Sequence, residues 1–227
     1  MSKAAQWAQA ALSYNFSDIA FLHLALTHRS AASEHNERLE YLGDAVLELV
    51  ITDALYRLKP RTDEGGLSRL RSFLVRKGTL VEIGGEIDIA GQLVLGSGEK
   101  RTGGHQRASI LADTVEAVLG AVYLDGGYPA AEQVIEGLFA SRLKSLPDDG
   151  DLKDPKTMVQ EYLQAQGELP PEYDVLKITG KAHQQTFKVT CKVAPRGIET
   201  EASGASRRKA EQQAAFQMLE LLQERKG

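Results

Sequence analysis

The sequence predicts a multidomain chain. An all-α domain over 1–147 is followed by a linker over 148–153 and a small α+β domain of order α-β-β-β-α over 154–227. Three observations predict this. Before residue 146, apolar residues recur at helical spacing and strand signals are poor. The segment Leu146-Pro-Asp-Asp-Gly-Asp-Leu152 is polar, carries Pro and Gly, and has no apolar period. Beyond it Phe187, Val189, Cys191 and Val193 alternate with Lys188, Thr190 and Lys192, the period of a half-buried strand.

Taken in order, the apolar pattern places helices near 4–12, 18–26, 34–58, 66–76, 78–84, 86–90, 107–124 and 128–144. Loops fall at 59–65, 91–106 and 125–127. The Gly-rich loop from Leu95 to Gly104 is long for a compact domain, and such loops are often functional. In the second domain Asp154-Pro155 reads as an N-cap followed by Pro at the first helical position, and that helix ends at Gly167. Strands are expected near 172–179, 187–193 and 198–203, and a last helix over about 206–224.

Composition narrows the function classes. A hydrophobic fraction of 42% with 26% charged residues fits a soluble globular protein. No apolar run reaches the length of a membrane span, and residues 1–11 lack the features of a signal peptide, so the expected compartment is the cytoplasm. Cys191 is the lone cysteine, which excludes an internal disulfide and a metal site built on several thiolates. The net charge of −4 does not advertise a polyanionic partner. The halves differ, however: residues 1–148 hold 15 Lys and Arg against 19 Asp and Glu, while 155–227 hold 11 against 9. That division is compatible with an acidic, cation-binding site beside a separate basic footprint.

The most informative stretch is His35-Asn-Glu-Arg-Leu-Glu-Tyr-Leu-Gly-Asp-Ala-Val-Leu47. At about 100° per residue, Glu37, Glu40 and Asp44 fall within roughly 60° of arc on a helix. Leu39, Leu42, Val46 and Leu49 fall opposite. Like charges so spaced repel, so the face is either simply solvated or has a cation to hold. A second stretch, from Ser109 to Leu124, is apolar nearly all round yet carries Asp113 and Glu116 three residues apart. Such a helix is normally buried, and buried carboxylates need a cationic side chain or a metal. Neighbouring Arg and Lys residues make a salt-bridged core one alternative; convergence of the two acidic faces is the other. Asp and Glu without His or Cys favour a hard ion, Mg²⁺ or Mn²⁺ rather than Zn²⁺. Such ions suit phosphodiester chemistry.

Glu37-Arg-Leu-Glu-Tyr-Leu-Gly-Asp-Ala-Val-Leu47 closely resembles the signature of the ribonuclease III family. Ala25-Leu-Thr-His28, Glu64-Gly65, Leu67-Ser68, Arg71, Leu95-Gly96, Gly98-Glu99, Arg107-Ala-Ser-Ile-Leu-Ala-Asp113 and Gly120-Ala-Val-Tyr-Leu-Asp-Gly126 also match. The resemblance covers essentially the whole chain. By matching position it implies that Glu40, Asp44, Asp113 and Glu116 bind metal, with Asp44 and Glu116 catalytic. Glu37 and Glu64 are implied as accessory acidic residues of the same cleft. It further implies a homodimer formed through the endonuclease domain, each subunit cutting one strand of double-stranded RNA by Mg²⁺-dependent in-line attack of water. The products carry 5′-phosphates, 3′-hydroxyls and short 3′ overhangs, and the roles implied are processing of rRNA precursors and mRNA. No small-molecule cofactor and no membrane partner are expected. Leu39, Tyr41 and Leu42 are candidate dimer residues. Asn36 is read either as an RNA contact or as a helix start, His28 as a core or dimer histidine, and Trp7 as packing.

In the second domain, Ser206-Arg-Arg-Lys-Ala-Glu211 puts three cations at a helix start, where the macrodipole disfavours them, unless a phosphate is held there. Residues 155–227 resemble a double-stranded-RNA-binding domain. Thr157, Gln160 and Glu161 match first-helix contacts, Ala182-His183 a minor-groove loop, and Gly204, Ser206, Arg207 and Arg208 a phosphate-contacting cluster. Ala202 departs from the glycine common there. Such domains read A-form shape rather than sequence. A non-catalytic duplex-RNA-binding regulator and a metal-stabilised helical scaffold are the alternative classes, and the complete carboxylate set favours the enzyme.

Overall fold

The computed structural model describes residues 2–148 and 152–224, the side chain of Glu224 excepted. The chain divides into two compact units, Met1–Leu152 and Lys153–Gly227. The linker expectation falls partly on residues 149–151, outside the described residues.

The first unit is helical: α1 Lys3–Leu12, α2 Ile19–Ala25, α3 Glu37–Leu58, α4 Glu64–Val75, α5 Lys77–Glu86, α6 Ser97–Arg101 and α7 Ala108–Lys144. Its core is organised around α7, which buries residues on every side of its first half, among them Ile110, Val115, Val118, Leu119 and Val122. This explains why the sequence there lacks a polar face: α2, α3 and α5 all pack against it. Asp125 pins the chain between α1 and α2, accepting from Tyr14 Oη at 2.7 Å and from the Ser17 and Asp18 amides at 2.8 and 2.7 Å. Trp7 is packing, as read, with its indole N–H donating to the Ile87 carbonyl.

Several boundaries differ from the sequence reading. The separate helices expected at 78–84 and 86–90 are one helix ending at Glu86, then a 3₁₀ turn at Ile89–Gln92. Gly84 and Gly85 weaken the helical pattern without breaking it; the break comes at Asp88, at φ 50°. The loop expected at 91–106 contains α6 and a second 3₁₀ turn, Gly104–Gln106, elements too short to show a period. Val94 is tied to this side of the core by a parallel bridge to Thr27. The loop expected at 125–127 is only a break within α7, at Gly127 with φ 72° and ψ −174°. The helix resumes at once because Pro129 sits in a new first turn, where its missing N–H costs no hydrogen bond.

In α3 the buried face is Leu39, Gly43, Val46, Leu47, Val50, Ile51, Ala54 and Leu55. Leu49, expected on the core face, is 56% exposed. The core stripe is rotated toward the acidic face, and a second apolar stripe of Tyr41, Leu49 and Tyr56 faces outward.

The second unit comprises α8 Pro155–Gln164, β1 Glu172–Thr179, β2 Thr186–Val193, β3 Ile198–Gly204 and α9 Arg207–Glu224. The strands form an antiparallel sheet in the order β1-β2-β3, with Val189 opposite Ala202 and Cys191 opposite Thr200. Both helices cover one face, burying Val159, Leu163, Cys191, Val193, Ile198, Ala214, Ala215 and Met218. Cys191 is core, as its alternation predicts. Among the described residues no helix is long and apolar enough to cross a membrane.

Candidate metal centre and nucleic-acid interface

Two glycines bring the acidic faces together. A Cβ on Gly43 of α3 would stand 1.8 Å from the Glu116 carbonyl oxygen, and one on Gly120 of α7 would stand 2.3 Å from the Leu39 carbonyl oxygen. The two backbones thus cross in direct contact, closer than any side chain permits. Glu40 and Asp44 flank the crossing on α3, and Asp113 and Glu116 flank it on α7. One oxygen each of Glu40, Asp113 and Glu116 lies within 4.8 Å of the others, and all three residues are half-buried. Of the two alternatives left by the sequence, the faces converge.

Asp44 is exposed and stands outside that three-residue group, yet its charge reaches Glu116. Burial first, then repulsion from Asp44, Asp113 and Glu40, pushes the Glu116 carboxyl up to about 7. Burial also raises Glu40, helped by Asp113 and Glu37, and it raises Asp113 against the pull of Lys77, His28 and Arg29. Half-buried carboxylates that repel one another in this way are matched to an added cation. An all-oxygen donor set this compact fits a divalent ion such as Mg²⁺ or Mn²⁺.

Glu40 and Asp113 open onto a cavity of about 760 Å³, whose other walls include His28, Arg29, Glu37, Arg107 and Ser109. Glu37 pairs with Arg29 at 3.0 Å. Asn36, the N-cap residue of α3, lines the same cavity but is 3% exposed and makes no side-chain cap. His28 is a correction to the core reading: it faces the cavity, its Nδ1 2.8 Å from Ser30 Oγ. Glu64 is not among that cavity's walls. It lies exposed in the first turn of α4 and borders a different hollow with Thr52, Tyr56 and Arg71. Sequence reasoning missed Arg29 and the two crossing glycines. A glycine inside a helical pattern, which costs about 1 kcal/mol relative to Ala, was the available signal.

In the second unit, Thr157, Gln160 and Glu161 share an exposed face of α8. His183 is exposed in the turn between β1 and β2. Gly204 lets β3 run against the start of α9: a Cβ there would meet the Ala210 nitrogen at 2.6 Å. Ser206 Oγ accepts from the Lys209 amide at 3.3 Å, and Arg207 and Arg208 are exposed beside it. Glu211, 8% exposed, accepts from Lys156 Nζ at 2.6 Å and Arg207 Nε at 2.7 Å, so one buried carboxylate ties α8 to the basic helix start.

Residues 18–143 match the family model described as Ribonuclease-III-like, and residues 155–222 match the double-stranded RNA binding motif. Ribonuclease 3 of Alkalilimnicola ehrlichii is 50% identical over 214 residues, 94% of each chain. Ribonuclease 3 of Vibrio cholerae is 48% identical, covering 93% of this chain and 94% of that one. Among solved structures, the nuclease domain of ribonuclease III from Campylobacter jejuni superposes with a TM-score of 0.61 at 34% identity, covering 64% of this chain and all of that one. A second structure of that domain, which describes flexibility in a region involved in its dimer formation, gives 0.60 at 35% identity, covering 62% of this chain and 99% of that one.

Proposed function

The chain belongs to the ribonuclease III family and is a double-strand-specific endoribonuclease, and we propose that Glu40, Asp44, Asp113 and Glu116 hold the Mg²⁺ it uses. The observation that carries the reading is the convergence of three half-buried carboxylates where α3 and α7 cross. Mn²⁺ shares the required hardness and substitutes. Bound there, the ion supplies positive charge to a phosphate oxygen and to the attacking water. Asp44 and Glu116 are assigned the catalytic role by the matching positions of the family signature, and Asp44 is the neighbouring carboxylate whose charge acts most on Glu116. Water attacks phosphorus, the bond to the 3′ oxygen breaks, and the products carry a 5′-phosphate and a 3′-hydroxyl. Glu37 and Arg29 border the cleft as an ion pair, and Asn36 supports its wall. Glu64 is retained as an accessory residue only if a second subunit completes its hollow.

Thr157, Gln160, Glu161 and His183 meet the minor grooves, while Ser206, Arg207 and Arg208 contact phosphates. All but the half-buried Ser206 are exposed. The outward apolar stripe of Tyr41, Leu49 and Tyr56 supports homodimerisation through the endonuclease domain. Of the sequence candidates, Tyr41 is 82% exposed and Leu42 half-buried, whereas Leu39 is 4% exposed within its own core and is withdrawn. Paired centres would leave short 3′ overhangs. Processing of rRNA precursors and mRNA in the cytoplasm is the fitting role.

The test is incubation with a long RNA duplex and Mg²⁺, followed by end-group analysis. Glu116→Gln is expected to lower cleavage by about a hundredfold or more while leaving duplex binding within about twofold, since it removes one charged ligand with little change of shape. Near-normal turnover at saturating Mg²⁺ would remove Glu116 from the ligand set.

A further inference from the structure

At the start of α9 one buried carboxylate is shared by two cations. Glu211 is 8% exposed, and a carboxylate so placed needs its charge answered. Its oxygens are divided: Oε2 accepts from Lys156 Nζ at 2.6 Å and Oε1 from Arg207 Nε at 2.7 Å. Lys156, in the first turn of α8, is itself held, with Nζ 4.3 Å from the centre of the Tyr173 ring on β1. Beside it Asp154 accepts from the Lys156 amide at 2.9 Å and from Gln212 Nε2 at 2.8 Å, so the two helix starts are tied twice. Burial pushes the Glu211 carboxyl up, but the bonds from Lys156 and Arg207 outweigh it and hold the group below its ordinary value, so the carboxylate is ionised. The consequence falls on Arg207. A guanidinium has five N–H donors, and here only the one on Nε is used. With Oε2 taken by Lys156, Glu211 does not close a two-point fork on Arg207. Among the described residues Arg207 makes no other bond, and its side chain is 63% exposed. The Nη hydrogens therefore stay free on a group whose root is fixed. Helix stability does not call for this pair: acid before base is the favoured order at this spacing, and a cation at a helix start opposes the macrodipole.

We infer that Glu211 is a positioning residue for RNA binding: it anchors the Arg207 guanidinium by Nε and presents the two Nη groups as a preset fork for one phosphate of the duplex. Lys156 serves it by occupying the other oxygen. The inference rests on the reading of Arg207 as a phosphate contact and extends it to a residue that touches no RNA. Anchoring removes beforehand the rotamer freedom that a long side chain otherwise loses on binding. A planar fork matches two phosphate oxygens, whereas an ammonium drawn to Glu211 offers no such pair. Charge alone predicts the opposite sign, since Glu211 puts a negative charge beside the groups that meet a polyanion.

The test is binding of the full-length chain to a fluorescein-labelled RNA duplex, long enough for the roughly 16 base pairs such a domain spans, read by fluorescence anisotropy. EDTA is present so that nothing is cut. Glu211→Gln is expected to weaken binding about three- to tenfold, although it removes a negative charge. In an Arg207→Ala background the same change should move the Kd by less than about twofold, because the group it positions is gone. Arg207→Lys keeps the charge yet should lose nearly as much affinity as Arg207→Ala. Tighter or unchanged binding by Glu211→Gln overturns the inference, as does an equal loss in both backgrounds, which would mark a general effect on the fold. Arg207 is exposed, so its variants do not depend on folding around position 211. An Arg207→Lys protein that binds within about twofold of the unsubstituted chain therefore overturns the inference too. If Arg207→Ala itself binds normally, the phosphate-contact reading falls, and the role of Glu211 with it.

Discussion

Glu116 governs how the ion-free centre responds to pH. Its carboxyl is pushed up to about 7 from an ordinary 4.5, by burial first and then by Asp44, Asp113 and Glu40. Glu40 and Asp113 shift the same way. A carboxyl raised in the folded state binds more protons folded than unfolded across that window. The stability it contributes is complete below the unfolded value and is lost as pH rises through the folded one. In EDTA the melting temperature is therefore expected to fall as pH rises from about 5 to about 8. The loss is on the order of 1–2 kcal/mol once solvent screening of these half-buried groups is allowed for. Glu116→Gln should flatten the fall, and saturating Mg²⁺ should reverse it at the upper end. A melting temperature that climbs over this window in EDTA would contradict the shift. The identity and spacing of these acids, and the burial of the helix that carries Asp113 and Glu116, were legible in the sequence, whereas the half-burial of Glu40 was not, because it depends on which helix lies opposite.

At the scale of elements, the α3–α7 crossing does the positioning. Gly43→Ala would press a methyl group into the Glu116 carbonyl, so the helices must part. The expected cost is about 2–4 kcal/mol of stability together with loss of Mn²⁺ binding, since the ligands separate with the helices. A Gly43→Ala protein with unchanged melting and metal affinity would show that the crossing is not needed. In the second unit the start of α9 is the corresponding device. Arg207 is held by Glu211, while no ion pair of Arg208 is found among the described residues. Replacing both by Ala should weaken binding about equally on unrelated duplexes and reduce the salt slope by roughly one to two. A loss confined to one duplex sequence would point to base readout instead. The three cations at a helix start were visible as a broken rule; the buried carboxylate 55 residues from Lys156 that organises them was not.

For the whole molecule the open matter is how one acidic centre per chain serves two strands. Tyr41, Leu49 and Tyr56 give α3 an outward apolar face that the chain's own core leaves uncovered. A two-fold partner on that face would supply a second, identical centre. A mixed dimer of unsubstituted and Glu116→Gln subunits is then expected to nick one strand and spare the other, seen as intact duplex on native gels and single cuts on denaturing ones. Cleavage of both strands by such dimers, without subunit exchange, would sink the one-centre-per-strand arrangement. The hollow bordered by Glu64 and Tyr56 lies along the same helix, which is where a partner would act on Glu64.

What the sequence determined by itself is whatever short-range periodicity and residue chemistry encode. The helical first unit, the alternating strand at 186–193, the Asp154-Pro155 helix start and the hard-ion character of the Asp and Glu set all belong here. Each depends on neighbours within one or two turns, and the resemblance to a known family added the assignment of roles. Only the tertiary structure decided the rest. It rotated the core face of α3 so that Leu39 stayed inward while Leu49 went outward, because burial follows the partner helix and not the local stripe. It carried Glu40 across to Asp113 and Glu116, over 70 residues away in the chain, because two glycines let the backbones touch. It left Glu64 outside that cleft, since neighbours through space are fixed by packing and leave no trace in spacing along the chain.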